Sequence, residues 1–168
     1  MRNGCGIGLL SCGVLIALFY FFYPLYIVLA ITATKQGEVV LCAEMDEGEE
    51  IVLSFVHSVN RRPVYDTLRI EGDHLLIVKS RYDSFGAGMP ETSTEDMNLQ
   101  FDKEGWLVWT VNRPVPEILL FVGRVASHSV TLKGKDMALA DLAEPGASLS
   151  IKTHKASFFE IWKGRCLQ

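Results

Sequence analysis

The amino-acid sequence predicts an all-β domain, an antiparallel β-sandwich or partly open β-barrel, preceded by one N-terminal transmembrane helix. Three observations carry this. The stretch from Ile7 to Thr32 is 26 residues without a charge. Beyond residue 35, short alternating apolar runs are separated by turn residues about every ten positions, and no long helical period appears. The chain has 168 residues, 49% of them hydrophobic, which suits one domain and is too apolar for disorder. Sixteen Lys and Arg against 20 Asp and Glu leave a net charge of −4. That balance offers no broad basic face, and so argues against nucleic acid as a partner.

The N-terminal segment comes first. A helix of its length would be about 39 Å long, enough to cross a hydrocarbon core of about 30 Å with tilt. Pro24 should kink its second half, and Tyr20, Tyr23 and Tyr26 suit an aromatic belt at the far interface. Gly6, Gly13 and Ala17 lie within about 20° of a common direction at helical spacing. Such a small-residue face lets another membrane helix approach closely. Arg2 against Lys35, with the terminal amine added, favours an N-terminus inside and a domain outside. The competing reading is a signal peptide cut near Val28 and Ala30, although the apolar run is about twice the usual length for one. Residues 1–35 are thus expected to be the anchor, 36–155 the β-domain and 156–168 a tail.

From Gln36 onward there are 14 basic and 20 acidic residues. Strands are expected over Val39–Met45, Ile51–Ser58, Val64–Ile70, His74–Tyr82, Trp106–Val111, Ile118–Val122, Val130–Leu132 and Leu149–Thr153. Glu71-Gly72-Asp73 and Lys133-Gly134-Lys135-Asp136 read as hairpin turns. Phe158–Trp162 reads as either a last strand or a short helix. Asp83–Lys103 breaks the rhythm, and long irregular segments in small domains tend to be functional or mobile. Cys42 and Cys166 can pair in an oxidising compartment or remain buried thiols.

Three polar clusters stand out. In Phe55-Val56-His57-Ser58-Val59, adjacent strand residues point to opposite faces, so His57 is poorly placed to activate Ser58. His57 reads first as a loop tether and second as a ligand or partner contact. In Arg81-Tyr82-Asp83-Ser84-Phe85-Gly86-Ala87-Gly88-Met89-Pro90, the glycines permit either an anion-binding nest beside Arg81 or a turn that plugs the barrel end with Phe85 and Met89. Gly123-Arg124-Val125-Ala126-Ser127-His128 can bring Arg124 and His128 to Arg81 and His57 around an acidic group. They can equally pair with Asp66 or Glu117. Four histidines at positions 57, 74, 128 and 154 lack ligand spacing, so no metal or cofactor is expected. No nucleophile elbow or dinucleotide loop is present, and no enzymatic activity is expected.

Together these clusters resemble the bacterial domain of unknown function 1850, over about Gly37 to His154. The resemblance rests on Phe55-x-His57-Ser58-Val59-x-x-x-Pro63-Val64, on Arg81-Tyr82-x-Ser84-Phe85-Gly86-Ala87-Gly88-Met89-Pro90 and on Gly123-Arg124-Val125-Ala126-x-His128. It implies a small protein with a hydrophobic N-terminus, associated with the membrane subunit of TAXI-type TRAP transporters for organic-acid uptake. The implied role is an accessory subunit in the bacterial inner membrane, with the β-domain on the extracytoplasmic side. It would contact the permease or the substrate-binding protein through His57, Ser58, Arg81, Ser84, Phe85, Gly86, Gly88, Arg124 and His128. A tethered module that binds a small anionic or apolar ligand near Arg81 and Arg124 is the second reading, and a hydrolase the third.

Overall fold

In the computed structural model, two antiparallel sheets face each other. The structure describes residues 4–86, 88–90, 92–93, 98–164 and 166–167, with side chains from residue 12 onward. The chain order is α1 (Gly4–Phe22), β1 (Tyr26–Ala33), β2 (Glu38–Met45), β3 (Glu50–Val56), β4 (Pro63–Glu71), β5 (His74–Tyr82), β6 (Asn98–Phe101), β7 (Leu107–Val115), β8 (Ile118–Phe121), β9 (Ser129–Leu132), β10 (Lys135–Ala138), α2 (Leu139–Leu142), β11 (Ser148–Ala156) and α3 (Phe158–Gly164). One sheet has the order β2-β1-β11-β8, the other β10-β9-β3-β4-β5-β7-β6. The all-β sandwich expected from the alternating pattern is the observed architecture.

The N-terminal apolar stretch is not one helix. The helix stops at Phe22, ahead of Pro24, and Tyr26–Ala33 becomes β1, paired on one side with β11 and on the other with β2. The reason is burial on both faces. Leu29, Ile31 and Ala33 enter the core between the sheets, while Val28 and Ala156 on the opposite face lie under Ile161 of α3. A strand covered on both faces loses its polar alternation and reads as a continuous apolar run. The domain therefore begins at β1, within the segment assigned above to the anchor. Among the described residues no helix is long and apolar enough to cross a membrane.

The remaining elements follow the local chemistry. His74–Tyr82 is a strand at the expected bounds, and Gly72 takes the left-handed φ of +61° that its hairpin needs. Asn98–Phe101, inside the segment expected to be irregular, adds an edge strand to β7. Phe158–Gly164 is helical because Ser157 and Glu160 cap it reciprocally. The Ser157 amide donates to Glu160 Oε2 at 2.7 Å, and the Glu160 amide donates to Ser157 Oγ at 3.3 Å. Just beyond α3, a disulfide joins Cys166 to Cys42 on β2, and Leu167 bridges to Ala43.

Strand registers define two ends. Tyr26 lies opposite Ala156, and Ile27 opposite Met45, so α1 and α3 meet at one end. The turns at Asp46–Glu49, Gly72–Asp73 and Lys133–Gly134 share that end. Lys133 pairs with Glu49 at 3.6 Å, and Gly72 and Asp73 line a cleft with His154 and Lys155. β3 runs away from this end and β4 returns; β5 runs away again, and β7 starts opposite Tyr82. The connections 57–62, 83–90 and 123–128 therefore gather at the opposite end.

Candidate functional site

The site grows from the far end of the seven-stranded sheet. Phe55, Val64, Tyr82 and Leu107 pair across β3, β4, β5 and β7. They form a second small core with Met89, Leu99 and Trp109 packed against it. The Tyr82 hydroxyl donates to the Pro90 carbonyl at 2.8 Å and holds the 83–90 loop over that core. Met89 plugs the end of the sandwich, as one sequence reading expects. Phe85 does not join it and is 45% exposed.

The 57–62 loop is built on His57. Its amide donates to the Arg62 carbonyl at 2.9 Å, its carbonyl accepts from the Arg61 amide at 3.0 Å, and its Nδ1 accepts from the Val59 amide at 3.3 Å. His57 is thus a tether, with Ser58 and Val59 exposed beside it. Asn60 carries the loop to its neighbour. It accepts from the Arg62 amide at 3.1 Å and donates to the Ser84 carbonyl at 3.4 Å. A Cβ on Gly86 would lie 2.8 Å from Asn60 Nδ2, so glycine there permits the two loops to close. Arg62 also pairs with Asp83 through both carboxylate oxygens. Neither Asn60 nor Asp83 was legible as a joining residue, because the partners that tie the two loops together lie 24 and 21 residues away in sequence.

The 123–128 loop joins the other side. The Ala126 carbonyl accepts from the Val56 amide at 2.7 Å, and the His128 ring lies 5.9 Å from that of Phe55. Arg124 and Val125 are exposed at its tip. His128 Nδ1 is buried and has no hydrogen-bond partner among the described residues. Burial lowers the His128 pKa from its ordinary value, because the charged ring loses hydration. The sign follows: the fold favours neutral His128, so this contribution is complete above about pH 6.5 and lost as pH falls through the lower folded value. We expect the urea midpoint to drop between about pH 7.5 and pH 5, and His128→Phe, which keeps a ring against Phe55, to flatten that drop. Identical pH profiles for the two chains would refute the assignment.

The remaining candidates separate from this patch. Arg81 alternates with Tyr82 and faces the outer side of the sheet. There its guanidinium bonds Asp102 at 2.8 Å and Glu104 at 2.5 Å and stacks over Trp106 at 4.4 Å. Tyr65, opposite Arg81 in register, packs on the same indole. Arg81 is therefore neutralised within its own chain and is not held for an anion beside Arg124. Asp66 and Glu117 bond Ser80 and Ser150, at 2.5 and 2.8 Å, rather than the arginines. Burial raises the Asp66 pKa, and the Ser80 bond opposes that shift. The 83–90 loop is a turn, with the Met89 amide donating to the Gly86 carbonyl at 2.9 Å and Gly88 at φ +83°. The nest reading depends on the Ala87 amide, and Ala87 lies outside the described residues. Beside Phe85 an open cleft of about 360 Å³ is lined by Ser93, Leu99, Phe101 and Leu107. Among the described residues no histidine bonds a serine hydroxyl, and no three His, Cys, Asp or Glu groups are placed to share a metal.

The class defined by this geometry is a small two-sheet sandwich with three irregular loops at one end, where 57–62 and 83–90 are bonded to each other and 123–128 is bonded to the end of β3. The family profile described as Domain of unknown function (DUF1850) matches residues 51–139, which is 89 of the 168 residues. The chain belongs to that family. The matched region runs from β3 through the start of α2, so it contains all three loops. It leaves β1, β2, β11 and both longer helices outside. No curated protein and no solved structure matches the chain.

Proposed function

We propose that the protein is a membrane-anchored accessory subunit of a TAXI-type TRAP transporter, held in the bacterial inner membrane by α1. The β-domain stands on the extracytoplasmic side and meets a transporter component through its loop-bearing end. One observation carries the reading. Three motifs, spread over about 70 residues of sequence in a family whose resemblance implies a transporter association, gather at one end of the sandwich and expose Ser58, Val59, Phe85, Arg124 and Val125 there.

Two features support the anchor and its sidedness. From residue 12 onward α1 leaves Val14, Leu15, Ile16, Phe19, Tyr20 and Phe22 about half exposed or more, a surface that water disfavours and lipid covers. The face carrying Gly6, Gly13 and Ala17 is the candidate contact for a permease helix, and nothing lies within 4 Å of a Cβ placed on Gly13. A disulfide between Cys42 and Cys166 suits an oxidising compartment outside the cytoplasm. The patch lies at the end of the sandwich remote from α1, which favours the soluble substrate-binding protein as its partner over the membrane subunit. Because Arg81 is paired, the small-anion reading loses half of its site.

Detergent co-purification tests the proposal. The tagged chain should bring down transporter components from cells expressing both, and Val59→Asp with Val125→Asp should reduce capture roughly tenfold, a loss of about 1.4 kcal/mol. Failure of the parent chain to capture any component would refute the assignment. Capture undiminished in the double variant would refute the patch.

A further inference from the structure

We propose that α3 is a second membrane contact, an aromatic foot that lies in the headgroup zone of the bilayer and sets the attitude of the β-domain. This rests on the reading of α1 as an anchor. The rings of Phe21 and Phe22 at the end of α1 meet α3 directly. Phe21 lies 5.6 Å from Phe158 and 5.7 Å from Phe159, and Phe22 lies 5.4 Å from Phe159. Tyr26, the first residue of β1, lies 6.4 Å from Phe158. The level at which α1 leaves the hydrocarbon is therefore the level of α3.

The two faces of α3 differ. Ile161 is buried against Val28 and Ala156. At helical spacing Phe159 and Lys163 lie on the opposite side, Trp162 lies about 100° round from Ile161, and Phe158, one turn before Ile161, borders the buried face. Trp162 is 67% exposed and Phe158 39%. An indole and a lysine each gain at a lipid–water boundary, where an apolar body and a polar tip both find partners, and phenyl rings beside them gain from the acyl chains. In water the same patch is unfavourable surface. The foot is also fixed in place. Ser157 and Glu160 cap its start, and the Cys42–Cys166 bond ties the chain just past its end to β2. A helix held at both ends cannot swing, so contact with lipid would orient the whole sandwich and aim the loop patch away from the membrane.

The test uses the full chain reconstituted in phosphatidylcholine vesicles, with either plain or brominated acyl chains. Bromine quenches only nearby indoles. Of the three tryptophans, Trp106 and Trp109 lie toward the loop end, beside Arg81 and opposite Ser80, and Trp162 is on α3. Brominated lipid should remove roughly a third of the emission, the share of one tryptophan, and Trp162→Phe should abolish that loss. A chain that floats with the vesicles but shows no quenching, or equal quenching in the variant, overturns the foot and leaves the anchor standing. A chain that does not float overturns both.

Discussion

A chain shortened to begin at Ile31 is expected not to fold, whereas one that begins at Tyr23 should keep both sheets. β1 is an interior strand, paired from Tyr26 to Ala33 with β11 and along nearly the same length with β2. Losing residues 26–30 removes Val28, Leu29 and Ala30, each at most 3% exposed. Burial of a Val or Leu side chain is worth about 1.5–3 kcal/mol, and each lost backbone bond that leaves a buried group unpaired costs about 1–3 kcal/mol more. The total is of the same order as the roughly 5–15 kcal/mol that holds a small domain together. Circular dichroism and urea unfolding of the two truncations decide the matter. A cooperative transition in the chain beginning at Ile31 would show that β1 is dispensable. The same reasoning bears on cleavage near Ala30, since a cut there would split the strand at its most buried point.

The second large effect belongs to the disulfide. Cys42 and Cys166 are 124 residues apart, so the bond closes nearly the whole β-domain. Removing such a constraint from the unfolded chain is worth about 4–5 kcal/mol by loop entropy, and native disulfides in small domains typically contribute about 2–5 kcal/mol. Cys42→Ser should lower the unfolding free energy by about 2–5 kcal/mol, and reductant should bring the parent chain to the same level. Leu167 should then lose its bridge to Ala43, where the Leu167 amide donates to the Cys42 carbonyl at 2.9 Å. Urea titration with and without reductant measures both effects. A midpoint unmoved by reductant would mean that the bond constrains nothing the fold does not already hold.

Much of the fold was legible because local chemistry and tertiary role agree in most strands. β5 alternates and ends in an obvious turn, and its bounds match those read from its residues. β6 was hidden because only four residues of an irregular segment pair, and their pairing depends on β7 rather than on their own pattern. The pairing of Cys42 with Cys166 was open, since spacing alone cannot tell a bond from two thiols. Among the site residues, His57 was legible as a tether because its carbonyl and amide serve its own loop. Arg81 was not legible: its partners Asp102 and Glu104 lie about 20 residues on, across a segment with no readable pattern. The meeting of Asn60 with Ser84 and Gly86, and of Val56 with Ala126, is non-local in the same way.

By itself the sequence determined the all-β class, most strand positions, the family motifs and an apolar N-terminus, because alternation, turn residues and charge depletion are properties of short windows. Only the tertiary structure decided that the apolar run divides at Pro24 into a helix and a core strand. It alone decided that the three loops gather at the end remote from that helix, and that Arg81 is satisfied within its own chain. The physical reason is common to all three. Burial on both faces, strand register and ion pairing depend on partners tens of residues away, and no local pattern records which partner a side chain will meet.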